Sequence, residues 1–382
     1  MKTPVLFVSH SGAISGAERV LLDIVRAFPQ AEAFVFETGD LPQRLREAGL
    51  AVTVSAHGAA LQGARRDSGL AAILPMLGTL GRITAELMRA MRGAGIVYAN
   101  SQKAFTLAAV ASLFRRRTLI WHLHDILSPA HFGKVQRLIQ TRLANLCAAR
   151  VIVPSQAAAD AFVAAGGQAA KVAVVPNGVT RSVDPRSKAE LRAALGLPQE
   201  RFLAGVFSRL SPWKGQHVVL DALANVPEVT GIFAGAALFG EADYAKSLEQ
   251  RVSALGLGER AHFLGQRSDV QLLMQAMDVV IHPSTDPEPF GLTLVEAMLA
   301  GVPLIASDAG AAAEILDNGR FGALFAPGDV AALAKALVNA VNGAGADVES
   351  ITAARARALD LYSVERMNAA IVALVAQAAG EG

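Results

Sequence analysis

The sequence is poor in cysteine and in charge and has few aromatic residues, and its composition excludes several classes of protein. A single cysteine, Cys147, excludes any internal disulfide, as is usual in a reducing compartment. With 52% hydrophobic, 5% aromatic and 18% charged residues, the chain is too apolar to be disordered. The uncharged stretch at residues 68–81 is shorter than the roughly 18–20 residues that a membrane-spanning helix needs. The opening MKTPVLFVS holds too short an apolar run for a signal peptide, so we expect a cytoplasmic protein.

The length and the charge distribution predict two domains. A chain of 382 residues exceeds one ordinary core and suits two domains of roughly 150–200 residues each. Residues 1–178 carry 19 Lys/Arg and 10 Asp/Glu, whereas residues 179–382 carry 16 and 23. Two interpretations stay open: the basic half meets an anionic partner or membrane surface, or the two domains attract each other.

Short β-branched runs alternate with helical patterns along the whole chain. The predicted strands are residues 5–8, 33–37, 51–54, 96–99, 119–122, 151–154 and 172–175, then 202–207, 231–234, 261–263, 279–282, 303–306 and 322–325. This alternation predicts two doubly wound, mostly parallel sheets, an α/β class with two Rossmann-like domains. We expect a first domain at residues 1–177 and a second at 178–360, with the helix at 361–382 returning to the first.

The segment DPEPFGLTLVEAMLAG follows one predicted strand directly and combines a tight loop with a helix. The backbone amides of Phe290, Gly291 and Leu292 would crowd the start of that helix. Unpaired amides and the helix dipole favour an anion such as a phosphate there. Glu288 would stand beside the anion and accept hydrogen bonds from hydroxyl groups, with Glu296 slightly deeper.

Each of these acids also has a structural interpretation. Thr293 and Glu296 have the spacing of a capping box, in which the glutamate returns to the cap amide. Glu288 lies between two prolines, where a solvated loop acid is common. Asp286 and Glu288 imitate a metal-binding pair, but no further ligand supports it and we expect no metal.

A glycine loop follows the first predicted strand, in the sequence SGAISGAE. Such a loop places amides toward a phosphate or a sugar. The spacing of Gly12 and Gly16 does not fit the G-x-G-x-x-G fingerprint, which disfavours a dehydrogenase. Ser15 and Glu18 also have capping-box spacing, so a structural role for the loop stays open.

Two histidines in the sequence WHLHD come where a predicted strand ends. His122 and His124 share one face of that strand. Ligands of open α/β sheets bind beyond the carboxyl ends of strands, although a single histidine there is often only packed. The following amphipathic pattern at residues 132–148 is basic, and either packs on its own sheet or lies on an anionic membrane.

The loop sequence SRLSPWKG carries Arg209 and Lys214, five residues apart, after the first strand of the second domain. An arginine fork and a lysine point charge suit a diphosphate, although two basic loop residues are often only solvated.

These motifs together resemble the retaining glycosyltransferases of family 4. FSRLSPWKG, FLGQRSDV, HPSTDPEPFGLTLVEAMLAGVPLIASDAGAAAEIL and FGALFAPGD resemble the second half of that family, and SGAISGAERVLLDIV, YANSQKA, WHLHD and VVPNGV the first. The resemblance covers essentially the whole chain. It implies the GT-B fold, with two Rossmann-like domains facing across a cleft. It also implies metal-independent transfer of a sugar, with retention, from a nucleotide-diphosphate sugar, without a cofactor.

The resemblance assigns roles in the second domain. Arg209 and Lys214 would bind the diphosphate and stabilise the departing nucleotide. Glu288 would hold hydroxyls of the donor sugar, and Glu296 would bind the nucleotide ribose. The amides near Glu288 would belong to Phe290, Gly291 and Leu292. Gln266 and Arg267 would border the base.

In the first domain, His124 matches the family histidine near the reaction centre and is preferred to His122. Gly16 matches the glycine loop that faces the diphosphate and the acceptor, although Ser15 stands where many relatives have a second glycine. The implied mechanism is front-face displacement, in which the departing phosphate oxygen takes the acceptor proton.

The expected partners are a UDP- or GDP-sugar and a glycan or lipid-linked acceptor of the cell envelope or an exopolysaccharide, not nucleic acid. Peripheral association with the inner face of the plasma membrane is a further expectation. Two alternatives stay open: a sugar-nucleotide epimerase of the same fold, and a catalytically silent scaffold of a polysaccharide machine.

Overall fold

A computed structural model describes residues 3–58, 73–238, 240–345 and 347–381. Part of the uncharged stretch at residues 68–81 lies outside them. The contacts divide the chain into two compact units. Unit 1 comprises residues 1–178 and 364–382, and unit 2 comprises residues 179–363.

Unit 1 is built on a seven-stranded sheet in the order β3-β2-β1-β4-β5-β6-β7, with all pairs parallel. Its strands are β1 (Val5–Ser9), β2 (Glu32–Val35), β3 (Ala51–Val54), β4 (Ile96–Ala99), β5 (Thr118–His122), β6 (Ala148–Val153) and β7 (Val172–Val174). The central strand β1 is buried along its whole length, as expected of a parallel strand covered on both faces.

Within the residues that the structure describes, six helices of unit 1 connect these strands or extend between them, and a seventh comes from the end of the chain. They are α1 (Gly16–Val25), α2 (Asp40–Glu47), α3 (Ile73–Ala90), α4 (Gln102–Phe114), α5 (Lys134–Cys147), α6 (Gln156–Ala164) and α15 (Val364–Ala379). Helix α15, from the end of the chain, packs against α1. The Asn368 side chain donates to the carbonyl of Asp23, at 3.0 Å.

Unit 2 is built on a six-stranded parallel sheet in the order β10-β9-β8-β11-β12-β13. Its strands are β8 (Phe202–Phe207), β9 (Val229–Ala234), β10 (Ala261–Phe263), β11 (Val279–His282), β12 (Leu304–Ser307) and β13 (Ala323–Phe325). Its helices are α7 (Lys188–Leu195), α8 (Gln216–Ala224), α9 (Ala242–Ala254), α10 (Val270–Gln275), α11 (Leu292–Ala300), α12 (Ala312–Ile315), α13 (Val330–Val341) and α14 (Val348–Leu361).

Each sheet has one point where the order of its strands reverses. In unit 1 it lies between β1 and β4, and in unit 2 between β8 and β11. Ligands of open α/β sheets bind beyond the carboxyl ends of the strands at such a switch point. The loops that follow these four strands are therefore where a site is expected in each unit.

Helix α5 does not bury the apolar residues that its sequence suggests. Phe132 and Leu143 are partly buried against the core of unit 1, but Val135, Ile139 and Leu146 are exposed. The buried positions are Gln140, Thr141 and Ala144 instead. Helical periodicity shows that a face is apolar but not which face contacts the sheet, and here the small and polar face does.

Candidate active site

Two loops at the switch point of unit 2 lie against each other. The loop after β8 carries a short 3-10 helix, Pro212–Lys214, and ends at Gly215. Gly215 has a φ of +72°, and a Cβ there would lie 1.9 Å from the carbonyl oxygen of Pro283, which follows β11. The amide of Thr285 donates to the carbonyl of Trp213, at 2.8 Å. Backbone contacts therefore fix the distance between the two loops.

The loop after β8 presents two cations beside one aromatic ring. The Lys214 Nζ lies 4.2 Å from the centroid of the Trp213 ring, and the Arg209 Cζ lies 5.4 Å from it. A ring face attracts a cation and holds it in place. Burial lowers the pKa of Arg209, while Glu241 and Glu288 act in the opposite direction.

The loop after β11 carries the buried carboxylate of Glu288, which is 5% exposed. Its Oε1 accepts hydrogen bonds from Lys214 and Ser284, and the His282 Nε2 lies 3.2 Å from the same oxygen. Burial alone would raise the pKa of Glu288, but the charges and hydrogen bonds of His282 and Lys214 hold it well below its usual range. In the described part of the chain, no group donates to the other oxygen, Oε2.

The backbone around Glu288 is fixed from a third loop. The Glu288 carbonyl accepts from the amide of Ala311, at 3.0 Å, and Glu288 forms an isolated bridge with Gly310. A Cβ on Gly310 would lie 2.2 Å from that carbonyl oxygen. This close approach requires glycine and holds the acid beyond the ends of β11 and β12.

Helix α11 begins beside Glu288, where the sequence predicts an anion site. Its N-cap is Gly291, with a φ of +98°, and Leu292 is its first residue. The Phe290 ring is buried and packs edge-on against the Tyr362 ring, with centroids 5.6 Å apart. Among the described residues, no acceptor pairs with the amides of Phe290 and Gly291. The first turn can therefore receive an anion.

The capping interpretation of Glu296 is wrong. Because α11 starts at Leu292, Thr293 lies inside the helix and cannot be its cap. The Thr293 hydroxyl instead lies 3.0 Å from the His282 Nδ1, and Glu296 is the fifth helical residue and is buried. The solvated interpretation of Glu288 is also wrong, because the chain folds Lys214, 74 residues away in sequence, onto it.

Gln266 and Arg267 follow β10, the edge strand of the sheet, two strands away from β8. Gln266 is exposed, and Arg267 pairs with Asp269 at 2.5 Å. In the described residues, no contact joins either of them to Lys214 or Glu288. They lie at the same edge of the sheet as the carboxylate but are not part of its cluster.

In unit 1, the ring centroids of His122 and His124 lie 3.8 Å apart with the planes tilted by 37°, so the two rings share one face as the sequence predicts. The His122 Nδ1 lies 2.8 Å from the Tyr98 hydroxyl, and His122 is completely buried. His124 is partly exposed, and its Nε2 lies 3.0 Å from the Asn100 Oδ1. Burial lowers the pKa of His124 to about 3, so its ring is neutral at ordinary pH.

The Asn100 side chain joins His124 to the glycine loop. Its Nδ2 donates to the carbonyl of Ala17, at 3.3 Å, in the first turn of α1. That carbonyl can only accept, so Oδ1 faces His124 and the proton of the histidine lies on Nε2. Gly16 is the first residue of α1, and the capping box of Ser15 and Glu18 that its sequence predicts is present.

Three residues of these sites are absent from the sequence prediction. His10, directly after β1, is mostly buried with its Nδ1 2.8 Å from the Ser101 Oγ, and burial and the charge of Lys103 lower its pKa to about 4. His282 and Ser284 support Glu288. Their position in the sequence could have identified them as candidates, because each lies at or just beyond the carboxyl end of a strand.

Comparison with known proteins identifies the family of both halves of the chain. A model of glycosyltransferase family 4 matches residues 14–183, and a model of glycosyl transferases group 1 matches residues 187–357. The crystal structure of Anabaena HepE in complex with UDP and glucose is 38% identical, with a TM-score of 0.88, and covers 98% of this chain and 99% of that one. The same protein is also known in complex with UDP-glucose.

Named relatives match over a shorter length. The lipopolysaccharide core biosynthesis mannosyltransferase LpsB of Rhizobium meliloti is 32% identical over 213 residues, which cover 52% of this chain and 59% of that protein. The D-inositol 3-phosphate glycosyltransferase of Mycobacterium tuberculosis is 32% identical over 220 residues, or 56% of this chain and 46% of that protein. This chain thus spans less than two thirds of these two relatives. Both halves of the chain match, and it therefore belongs to glycosyltransferase family 4, with the GT-B fold.

Proposed function

We propose that the protein transfers a sugar, with retention of anomeric configuration and without a metal, from a UDP-sugar to a hydroxyl group of an acceptor. UDP is favoured over GDP because the 38% identical HepE binds UDP and UDP-glucose. The acceptor is proposed to be a glycan or lipid-linked intermediate of the cell envelope. The match to LpsB, a lipopolysaccharide core enzyme, supports that class.

The observation that carries this proposal is the cluster at the switch point of unit 2. Arg209 and Lys214 stand beside one ring, Lys214 bonds the buried carboxylate of Glu288, and α11 begins next to that acid. Two cations and a helix N-terminus suit a diphosphate, and a carboxylate beside them suits sugar hydroxyls. Arg209 and Lys214 would then stabilise the negative charge of the departing nucleotide.

Glu288 would accept hydrogen bonds from the donor sugar through only one of its two carboxylate oxygens. Its Oε1 is occupied by Lys214, Ser284 and His282, which fixes the carboxylate plane. Its Oε2 would accept one or two sugar hydroxyls. Because the pKa of Glu288 is held low, the group stays an ionised acceptor and does not act as an acid.

The remaining assignments follow the family resemblance. Glu296 would bind the ribose, and Gln266 and Arg267 would border the base. In unit 1, His124 and the loop before Gly16 would contact substrate, with the neutral ring of His124 offering a lone pair on Nδ1. No protein base is assigned to the acceptor hydroxyl, whose proton would pass to the departing phosphate oxygen.

Thermal unfolding with UDP, GDP and ADP tests the donor class. A ligand that binds only the folded state stabilises it by about 2.7 kcal/mol at 100 times its Kd. We expect UDP to raise the Tm most, and Lys214→Met to abolish the shift. Lys246→Met, an exposed lysine of α9, is the matched control that should keep it. No shift with any nucleotide would contradict a transferase and favour the silent scaffold.

Incubation with UDP-sugars separates transfer from epimerisation. An epimerase would convert the donor into an isomer without an acceptor, whereas a transferase leaves the donor sugar unchanged until an acceptor is added. Nuclear magnetic resonance of the product would show the same anomeric configuration as the donor. An inverted product would contradict the retaining mechanism, and isomer formation would contradict the transfer reaction itself.

A further inference from the structure

The outer surface of α5 is apolar although it faces solvent. Val135 is 69% exposed and Leu146 is 73% exposed, and Leu138 and Ile139 are each about half exposed. Residues spaced by three, four and seven positions share one side of a helix, so these four side chains form one stripe. A surface helix of a globular domain normally buries its apolar side and exposes its polar side.

The contacts of the inner surface of α5 explain why its apolar residues face solvent. Gln140 donates to the Thr106 hydroxyl of α4, at 2.9 Å, and the Asn145 Nδ2 donates to the carbonyl of Gly166, at 2.9 Å. Ala144 belongs to the core and allows close packing. Specific hydrogen bonds thus fix the helix with its small and polar side inward, and rotation to bury the stripe would break them.

The stripe continues onto the end of α4. Helices α4 and α5 each return from the carboxyl end of one parallel strand to the start of the next, so they run in the same direction. The bond between Gln140 and Thr106 sets their register and puts the end of α4 level with the end of α5. There Leu113 and Phe114 are exposed, Phe114 at 74%.

The α4–α5 apolar face is defined as Leu113, Phe114, Val135, Leu138, Ile139 and Leu146. Six large exposed apolar side chains on two adjacent helices exceed the scattered exposure that is normal for a monomer. Such a face marks an interaction surface.

The charge around this face is mostly positive. Over α4, α5, α6 and their loops, residues 101–168, the sequence has eight Lys/Arg and two acids, Asp125 and the exposed Asp160. Asp125 accepts a hydrogen bond from Gln102 and is not fully exposed. Lys134 and Arg142 lie exposed on α5, and Arg116 lies exposed just beyond α4. Any partner of the face must therefore accept apolar side chains and carry negative charge.

We propose that the α4–α5 apolar face docks on an anionic lipid bilayer. Apolar side chains would enter the interface, and the basic residues would lie over the headgroups, as in amphipathic helices that lie flat on membranes. A second copy of this chain is disfavoured because a two-fold interface would place this basic surface against itself. No helix among the described residues is long and apolar enough to cross the membrane, so such binding would be peripheral.

Flotation of the full chain with lipid vesicles tests the proposal without donor or acceptor. We expect binding to vesicles that contain phosphatidylglycerol and not to pure phosphatidylcholine, with binding weakened by salt. Lys134→Gln with Arg142→Gln should weaken binding about fivefold for each charge, or about 25-fold for both. Val135→Ser, Ile139→Ser and Leu146→Ser together should weaken it at least about tenfold, because apolar insertion is lost.

Matched substitutions on unit 2 test whether losing any exposed apolar or charged residues, away from the α4–α5 apolar face, also weakens vesicle binding. Val348→Ser with Leu359→Ser removes exposed apolar residues of α14, and Lys246→Gln with Lys335→Gln removes two exposed charges. Both controls should bind as the unaltered chain does, and all variants should keep its circular dichroism. Absent binding to anionic vesicles, or equal loss in the controls, would overturn the proposal. So would a dimer in sedimentation velocity that the triple serine variant abolishes, because the face would then bind a second copy.

Because vesicle binding needs no nucleotide, it can fail while the proposed transfer activity stands. The reverse also holds, since a variant that loses UDP binding is expected to keep its membrane affinity. Lys214→Met provides that second comparison.

Discussion

The buried pair of Lys214 and Glu288 should be strongly coupled in stability. Removing one member of a buried ion pair usually costs about 3–5 kcal/mol, because a charge is left buried without its partner. Here His282 and Ser284 remain on the same oxygen and compensate part of the loss. We therefore expect a coupling free energy of about 2–3 kcal/mol between Lys214→Met and Glu288→Gln.

Urea unfolding of the two single variants, the double variant and the unaltered chain measures this coupling. The pair of Arg251 and Asp221 is the matched control. The Arg251 side chain is 43% exposed, and exposed pairs contribute below about 1 kcal/mol. A Lys214–Glu288 coupling no larger than that of the control would refute the reasoning, because it would mean that burial does not strengthen the contact.

The contribution of Glu288 to stability should depend on pH in a direction set by the shift of its pKa. The pKa of Glu288 is depressed in the folded chain, so its contribution to stability is present above the ordinary carboxyl pKa of about 4.3. The contribution is lost as the pH falls through the folded pKa. The difference in stability between the unaltered chain and Glu288→Gln should therefore be present at about pH 5 and shrink in acid.

Three further predictions concern backbone contacts and unit 1. Gly215→Ala should lower the free energy of unfolding by about 2 kcal/mol or more in urea, because its Cβ would meet the Pro283 carbonyl, whereas Gly256→Ala, with a φ of +65° and open space, should cost only about 1 kcal/mol. Equal costs would contradict the steric argument. Asn100→Leu should reduce transfer about 10–100-fold while the UDP-induced Tm shift stays, because it misplaces His124 and leaves the diphosphate contacts of unit 2 intact. Loss of the shift would contradict a positioning role. The His124 ring should show no protonation above about pH 4 in nitrogen-15 spectra, and because its folded pKa lies below that of the unfolded chain, stability should fall as the pH drops below about 6.5.

The strands could be predicted almost completely, because β-branched runs buried on both faces have few other interpretations. Five of them, including residues 202–207 and 279–282, have the predicted bounds. Residues 303–306 are shifted by one, to Leu304–Ser307. Proline lacks an amide for the ladder, and Pro303 joins the sheet only by its carbonyl, which accepts from Val280.

The contacts that hold the site residues and α5 in place could not be predicted, because they join segments that are distant in sequence. Sequence spacing predicts Thr293 as the cap, but the left-handed Gly291 is the N-cap and the helix starts two residues earlier than that prediction requires. The position of α5 likewise depends on Gln140 finding Thr106, 34 residues away. Local patterns contain no information about either contact, since both require the two partners to be placed by the sheet first.

The position of Lys214 raises a question of proton linkage that binding measurements can answer. Its ammonium has three N–H donors, one of which is used by Glu288, so the same group can bond a diphosphate without releasing the acid. We expect such bridging, because releasing Glu288 would leave its buried carboxylate with less positive charge and raise its pKa. Bridging predicts that UDP binds near pH 6 with no net proton uptake at this carboxylate, measured by calorimetry in buffers of different ionisation enthalpy. Proton uptake that disappears in Glu288→Gln would show that nucleotide and carboxylate compete for the lysine. In that event the carboxylate would have to be reorganised at each binding event, and the site would not be electrostatically preorganised for the nucleotide.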